Sequence, residues 1–300
     1  MERFVAAVDE SGRAGMVLRA AQALAGREGE IYAIHAHPRW PEVLTDVLAP
    51  YAGLEDDFVD LEAELVGTLA RKLVRVAGEV GVQLSAERIV VGVGDEADEA
   101  LRLGQRVGPA LVIMGPAEGG RAASASFQHR FLGSSPWSAL RLAPSHQTKL
   151  PARLVLGMDF GPGAPALLAE ALSWAQRWGA TVRPVYVYPT LSAWDHAGFV
   201  TDEASQVPGR VRKEAEKRML RVIEQSDLSF PLRTGIDQLL QPLECHPGDP
   251  AEVLDGLDEE AWVVVGRTRG GDAPVQGLGR VPSRLVRGGR STLLVVATRR

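Results

Sequence analysis

The chain carries one pattern twice, which excludes any fold that cannot accommodate two equivalent copies. Arg3-Phe4-Val5-Ala6-Ala7-Val8-Asp9 is echoed by Arg153-Leu154-Val155-Leu156-Gly157-Met158-Asp159, an offset of 150 in a chain of 300 residues. Gly94-Asp95, followed by Ala97 and Leu101, returns as Gly248-Asp249, followed by Ala251 and Leu254. Ala110-Leu111-Val112-Ile113-Met114-Gly115 returns as Ala261-Trp262-Val263-Val264-Val265-Gly266, and Leu132-Gly133 as Leu278-Gly279. The offsets run from 146 to 154 while the order holds. A period of half the chain means two copies of one domain, here placed at residues 1–148 and 149–300.

Each half alternates short apolar runs with longer amphipathic stretches. Phe4 to Val8 and Leu154 to Met158 are bounded runs too short for helices, the pattern of strands buried on both faces. After them, Val17, Leu18, Ala21 and Leu24, and Leu167, Leu168, Ala171, Leu172 and Ala175, fall at helical spacing. Further strands are expected at Ile31 to Ala36, Ile89 to Val91 and Ala110 to Met114, and at Val182 to Tyr188, Leu243 to Cys245 and Ala261 to Val265. Leu61, Leu65, Leu69 and Leu73 form a ladder on a long helix, matched by Val211, Ala215, Met219, Val222 and Ile223. Such alternation implies a doubly wound parallel sheet in each copy, a Rossmann-like α/β fold. Thr292 to Val296 supplies a closing strand to the second copy. The first copy's counterpart is expected near Ser145 to Leu150, a polar stretch that predicts a short, edge or missing fifth strand. Arg39 to Asp57 and Leu191 to Pro208 read as loops or short surface helices, and Ser229 to Gln241 as an insertion confined to the second copy.

Composition narrows the class of function. A net charge of −5 speaks against sequence-independent binding to nucleic acid, which needs a basic face. The only cysteine, Cys245, permits no disulfide within the chain. No apolar stretch approaches the roughly 20 residues of a membrane-spanning helix. With no evident signal peptide, a cytoplasmic protein without nucleic-acid or membrane partners is expected.

Ligands of doubly wound sheets bind beyond the carboxyl ends of the strands, where strand order reverses. Asp9 and Asp159 terminate the first strands. Gly115 and Gly266 terminate the fourth strands and open loops bearing Gly119 and Gly120, and Gly270 and Gly271. The loops are read as leading to helix starts at Gly133-Ser134-Ser135 and Gly279-Arg280. Glycine lets backbone amides approach an anion, a helix N-terminus adds donors and a favourable dipole, and serine can cap and donate to phosphate. An aspartate at the neighbouring strand end could accept from a ribose hydroxyl.

This succession resembles the universal stress protein family, and the whole chain resembles a tandem two-domain member. The supporting residues are Asp9, Asp159, the two Gly-Asp helix starts, the apolar fourth strands ending in Gly115 and Gly266, and the closing Thr292 to Val296. The resemblance implies five parallel strands in order 3-2-1-4-5, binding of ATP or AMP in some members, and pairing of the two domains through their fifth strands. The family signature is a glycine, two residues, a glycine, nine residues, then glycine with serine or threonine. The first copy has the glycines and Gly133-Ser134, but 17 residues lie between Gly115 and Gly133 where the family has 12. The second copy keeps the length from Gly266 to Gly279, but Arg269 stands at the second glycine position, with Gly270 one place late, and Arg280 at the serine position. The first copy is therefore favoured as the nucleotide site, through Asp9, Ala36, Gly115, Gly119, Gly120, Gly133, Ser134 and Ser135. The second would use Asp159, Val187, Gly266, Arg269, Gly270, Gly279 and Arg280, its arginines donating to phosphate or filling the pocket.

Other signals favour structural roles. His35 and His37 share a strand face without a third metal ligand at suitable spacing, so no metal is expected beyond a nucleotide-associated Mg. Trp174 and Trp178 are four apart on a helix and are read as packing residues, and Gly161-Pro162-Gly163 as a turn. The charges between Arg210 and Arg221 are read as a solvated helix face with internal ion pairs. No residue set has the arrangement of a catalytic triad, a P-loop lysine or a metal-bound water. The expectation is a non-enzymatic stress-response regulator binding an adenine nucleotide in at least one domain, with any hydrolysis slow. The alternative is an interaction scaffold with degenerate pockets, and a homodimer is left open.

Overall fold

A computed structural model of the chain describes residues 2–8, 12–37, 55–116, 122–146, 148–190, 207–267 and 278–297, with the side chains of 55–62, 122–126 and 207 left undescribed. The chain divides into two compact units, Met1–Leu142 with Gln147–Lys149, and Ala143–His146 with Leu150–Arg300.

The first unit runs β1 (Arg3–Ala7), α1 (Ala14–Ala25), β2 (Glu30–His37), α2 (Glu55–Glu79), β3 (Ile89–Val93), α3 (Glu96–Val107), β4 (Leu111–Met114), α4 (Ala122–Ser134) and β5 (Ser138–Arg141). Its strands are parallel in the order β3-β2-β1-β4-β5, as the family resemblance implied. Every residue of β4 is buried, which is why the run Leu111 to Met114 shows no polar alternation. The helix periodicity is equally faithful: Val17, Leu18, Ala21 and Leu24 are all buried on α1. On α2, Leu69 and Leu73 of the leucine ladder are buried, while Leu65 is partly exposed.

The second unit repeats the plan: β6 (Arg153–Met158), α5 (Ala164–Trp178), β7 (Thr181–Tyr188), α6 (Val207–Gln225), α7 (Phe230–Thr234), α8 (Ile236–Leu239), β8 (Glu244–Pro247), α9 (Pro250–Gly256), β9 (Trp262–Gly266), α10 (Arg280–Gly288) and β10 (Leu293–Val296). The strands are again parallel, ordered β8-β7-β6-β9-β10. The insertion Ser229 to Gln241 forms α7 and α8, which pack on α5. The loops expected at Arg39 to Asp57 and Leu191 to Pro208 lie largely outside the described residues; their last residues already belong to α2 and α6.

One expectation is corrected. The first unit's fifth strand is not at Ser145 to Leu150 but earlier, at Ser138-Ala139-Leu140-Arg141, and all four residues are buried. With a serine and an arginine at its ends, the segment shows only two apolar residues to a reader of sequence. Ala143–His146 instead groups with the second unit. There the Ala143 amide donates to Thr292 Oγ1 at 3.1 Å, and His146 Nδ1 lies 3.1 Å from the same hydroxyl.

Candidate functional site

With this strand order the crevice opens beyond the carboxyl ends of β1 and β4 in the first unit, and of β6 and β9 in the second. The second unit brings its described candidates to that end. Asp159 directly follows β6, Val187 lies near the end of β7 opposite His246, and Gly266 is the last residue of β9. Gly279 is the N-cap of α10, with no side-chain cap, and Arg280 is the first helical residue, exposed to solvent. In the first turn only Arg280 and Val281 have amides without an intrahelical acceptor; Pro282 carries no N–H, and the Ser283 amide donates to the Gly279 carbonyl at 3.0 Å. The serine of this helix serves another purpose: Ser283 Oγ donates to the Leu278 carbonyl at 2.6 Å. Asp159 Oδ1 accepts from the Gly161 amide at 2.9 Å. Arg269 and Gly270 lie outside the described residues.

The first unit does not assemble its set. Ala36 on β2, opposite Gly92, and Gly115 directly after β4 do lie at the carboxyl end. Asp9, Gly119 and Gly120 lie outside the described residues. Gly133 and Ser134, however, are the last two residues of α4, not the start of a helix. The Ser135 amide donates to the Phe131 carbonyl at 2.7 Å, and Ser135 Oγ accepts from the Trp137 amide at 3.1 Å. Three residues later β5 begins at Ser138, opposite Leu111, the first residue of β4. Gly133-Ser134-Ser135 therefore sits at the amino end of the sheet, about 13 Å along β4 from Gly115 at roughly 3.3 Å per residue. Glycine and serine satisfy the unpaired groups of either helix end, so the dipeptide alone does not say which end it occupies.

The strand registers show which residues truly correspond. Val112 pairs with Ala139 in the first unit, and Val263 with Leu293 in the second. This fixes the offset at 154 from the last helix onward, and α4 and α10 end at matching residues, Ser134 and Gly288. The counterparts of Gly279 and Arg280 are thus Ala125 and Ser126, and the echo between Leu132-Gly133 and Leu278-Gly279 is not a structural one. The first loop is not overlong. Ten positions lead from Gly115 to Ala125, against thirteen from Gly266 to Gly279. Helix α4 starts four residues before the position matching Arg280, and it delivers Gln128, where the second unit has Pro282, onto Gly115. Gln128 is buried, and its Nε2 donates to the Gly115 carbonyl at 2.8 Å.

The two Gly-Asp helix starts are built alike in both units, and each adds an ion pair that the sequence does not show. Gly94 and Gly248, at φ +147° and +136°, adopt backbone that side chains rarely tolerate. The following aspartates cap helices: Asp95 accepts from the amides of Ala97 and Asp98 at 3.0 and 3.2 Å, and Asp249 from those of Ala251 and Glu252 at 3.0 and 3.3 Å. Each aspartate also pairs with an arginine 35 residues on, Arg130 from α4 or Arg284 from α10. Arg130 holds the Asp95 carboxyl below the usual aspartate range. Burial pushes Asp249 up, but the Glu252 and Ala251 amides and Arg284 together keep it low. The pair spacing, equal in both copies, was the available signal.

The remaining candidates are structural. His35 Nδ1 donates to the Val8 carbonyl at 2.9 Å, which fixes its tautomer. Among the described residues no cluster of three or more His, Cys, Asp or Glu side chains could hold a metal ion. Trp174 and Trp178 are buried, stacked at 4.9 Å, and Trp178 meets Trp262 edge-on at 5.3 Å. On α6, Arg212 pairs with Glu216 and Arg218 with Glu214. Gly161 to Gly163 forms the turn that starts α5. No described helix is long and apolar enough to cross a membrane.

Comparison with known proteins agrees with this architecture. Residues 1–146 match the universal stress protein family. A universal stress protein from Archaeoglobus fulgidus DSM 4304 superposes with a TM-score of 0.61 at 15% identity, covering 99% of this chain and 96% of that one. A functionally unknown protein from Pseudomonas aeruginosa PAO1 gives a TM-score of 0.57 at 15% identity, covering 99% and 92%. At that identity the likeness concerns the fold. No curated protein matches the sequence. Residues 1–146 are thus a universal stress protein domain, and the second unit repeats its Rossmann-like fold.

Proposed function

We propose that the protein is a cytoplasmic, non-enzymatic stress-response regulator that binds an adenine nucleotide, ATP or AMP, in its second domain. The observation that carries this is the convergence of Gly266, Gly279 and Arg280 on the strand end that also holds Asp159 and Val187. Phosphates would take the amides of Arg280 and Val281 at the start of α10, with the dipole and the Arg280 guanidinium adding attraction. Any Mg would arrive with the nucleotide. The first domain is assigned the scaffold role: Gln128 ties up the Gly115 carbonyl, and Gly133-Ser134 lies at the far end of the sheet. Equilibrium dialysis of the full chain against ATP tests the assignment. Gly279→Asp is expected to abolish binding, whereas Gly133→Asp leaves it intact. Binding that survives Gly279→Asp but not Gly133→Asp would return the site to the first domain, and no binding by the wild type would leave the scaffold alternative.

A further inference from the structure

Phe160 is the only non-glycine residue with positive φ among the described residues, at +55°. The bond from the Gly161 amide to Asp159 Oδ1 spans it, so the aspartate at the strand end closes a turn that forces Phe160 into the left-handed region. Backbone held in this way projects the ring toward β7, where its centroid lies 5.1 Å from that of Tyr186, tilted by 48°. Both residues are partly exposed, so the pair keeps some aromatic surface open at the carboxyl end of the sheet. Tyr186 is paired with Met158, the residue before Asp159, and adjoins Val187. A strained residue whose side chain still keeps part of its surface exposed is not fully explained by packing. The matching positions of the first domain hold no such pair. Glu10 stands where Phe160 does, and the position of Tyr186 is taken by His35, which is buried and bonded to the Val8 carbonyl.

Building on the nucleotide site assigned above, we infer that Phe160 and Tyr186 form the surface that selects the base, stacking a purine ring beside Asp159. An aromatic face accepts any base, and the larger ring system gains more from it, so a purine nucleotide is favoured over a pyrimidine one. The second oxygen of Asp159, Oδ2, has no hydrogen-bond partner among the described residues and can accept from the ribose.

Isothermal titration of the full chain with ATP and with CTP provides the test. The wild type is expected to prefer ATP. Phe160→Gly, which the left-handed backbone tolerates, should weaken ATP binding about tenfold and abolish the preference, as loss of one stacking contact predicts. Tyr186→Leu, which keeps an apolar side chain on the strand, should act in the same direction. Thermal unfolding of both variants verifies that the domain remains folded. An unchanged ATP-to-CTP ratio in Phe160→Gly, or equal affinities in the wild type, overturns the base-selecting role and leaves the nucleotide site standing. A wild type that binds neither nucleotide overturns the underlying site.

Discussion

Asp95 performs two tasks, and substitution can separate them. It accepts from the amides of Ala97 and Asp98 as the N-cap of α3, and it pairs with Arg130 of α4. Asp95→Ala removes both interactions, whereas Asp95→Asn keeps a good capping oxygen and removes only the charge. The cap contributes about 1 kcal/mol, within a range of about 0.5–2. The ion pair is half exposed, at 49% for the Arg130 side chain and 42% for Asp95, so solvent screening limits it to at most about 1 kcal/mol. Asp95→Ala is therefore expected to cost about 1–3 kcal/mol and Asp95→Asn at most about 1. In a domain of this size each kcal/mol moves Tm by about 2–4 °C, within reach of differential scanning calorimetry. The matching Asp249→Ala variant identifies which transition belongs to which domain. The pH dependence has a definite sign. Arg130 lowers the folded pKa of Asp95, so on acidification the unfolded chain takes up the proton first. The contribution is complete above the unfolded pKa of about 3.9 and disappears as pH falls through the folded value. The deficit of Asp95→Ala relative to wild type should thus shrink between pH 5 and the acid limit. An Asn variant as unstable as the Ala variant at pH 7, or a deficit that ignores pH, would refute this division.

Three further outcomes are expected. Gly104 lies in α3 beneath the Trp137 indole, and an added Cβ would come within 2.7 Å of Trp137 Cη2. Gly104→Ala should destabilise despite a helix-propensity gain of about 1 kcal/mol, because overpacking costs about 1–3 kcal/mol; a higher urea midpoint would contradict this. Burial lowers the pKa of His146, so between about 6.5 and its folded value the second domain should lose at most about 1.4 kcal/mol of stability per unit fall in pH. His146→Gln should flatten that slope in urea titrations over the same range. Burial raises the pKa of the Cys245 thiol, so its reaction with a disulfide reagent at neutral pH should be slow and should accelerate sharply in denaturant.

Much of the scaffold was legible before any coordinates. Val17, Leu18, Ala21 and Leu24 mark the buried face of α1, and the first, second and fourth strands of both units fall within a residue or two of their apolar runs. In the second copy the spacing from Gly266 leads to a helix start at Gly279-Arg280, as the pattern predicts. In the first copy it was misread, because Leu132-Gly133 imitates Leu278-Gly279 in letters but not in place. Gln128, Phe160 and the Asp95–Arg130 and Asp249–Arg284 pairs escaped notice because their partners are distant in sequence or depend on a backbone angle.

The sequence by itself determined the duplication, the alternation of strands and helices, and the capped helices after Gly94-Asp95 and Gly248-Asp249. These follow from local periodicity and local hydrogen bonding, which neighbouring residues settle among themselves. Only the tertiary structure decided that Ser138 to Arg141 is a strand, that Gly133-Ser134 ends a helix, and that Gln128 covers Gly115. Burial and strand register are properties of what lies across the sheet, and a dipeptide able to satisfy either end of a helix carries no record of which end it will meet.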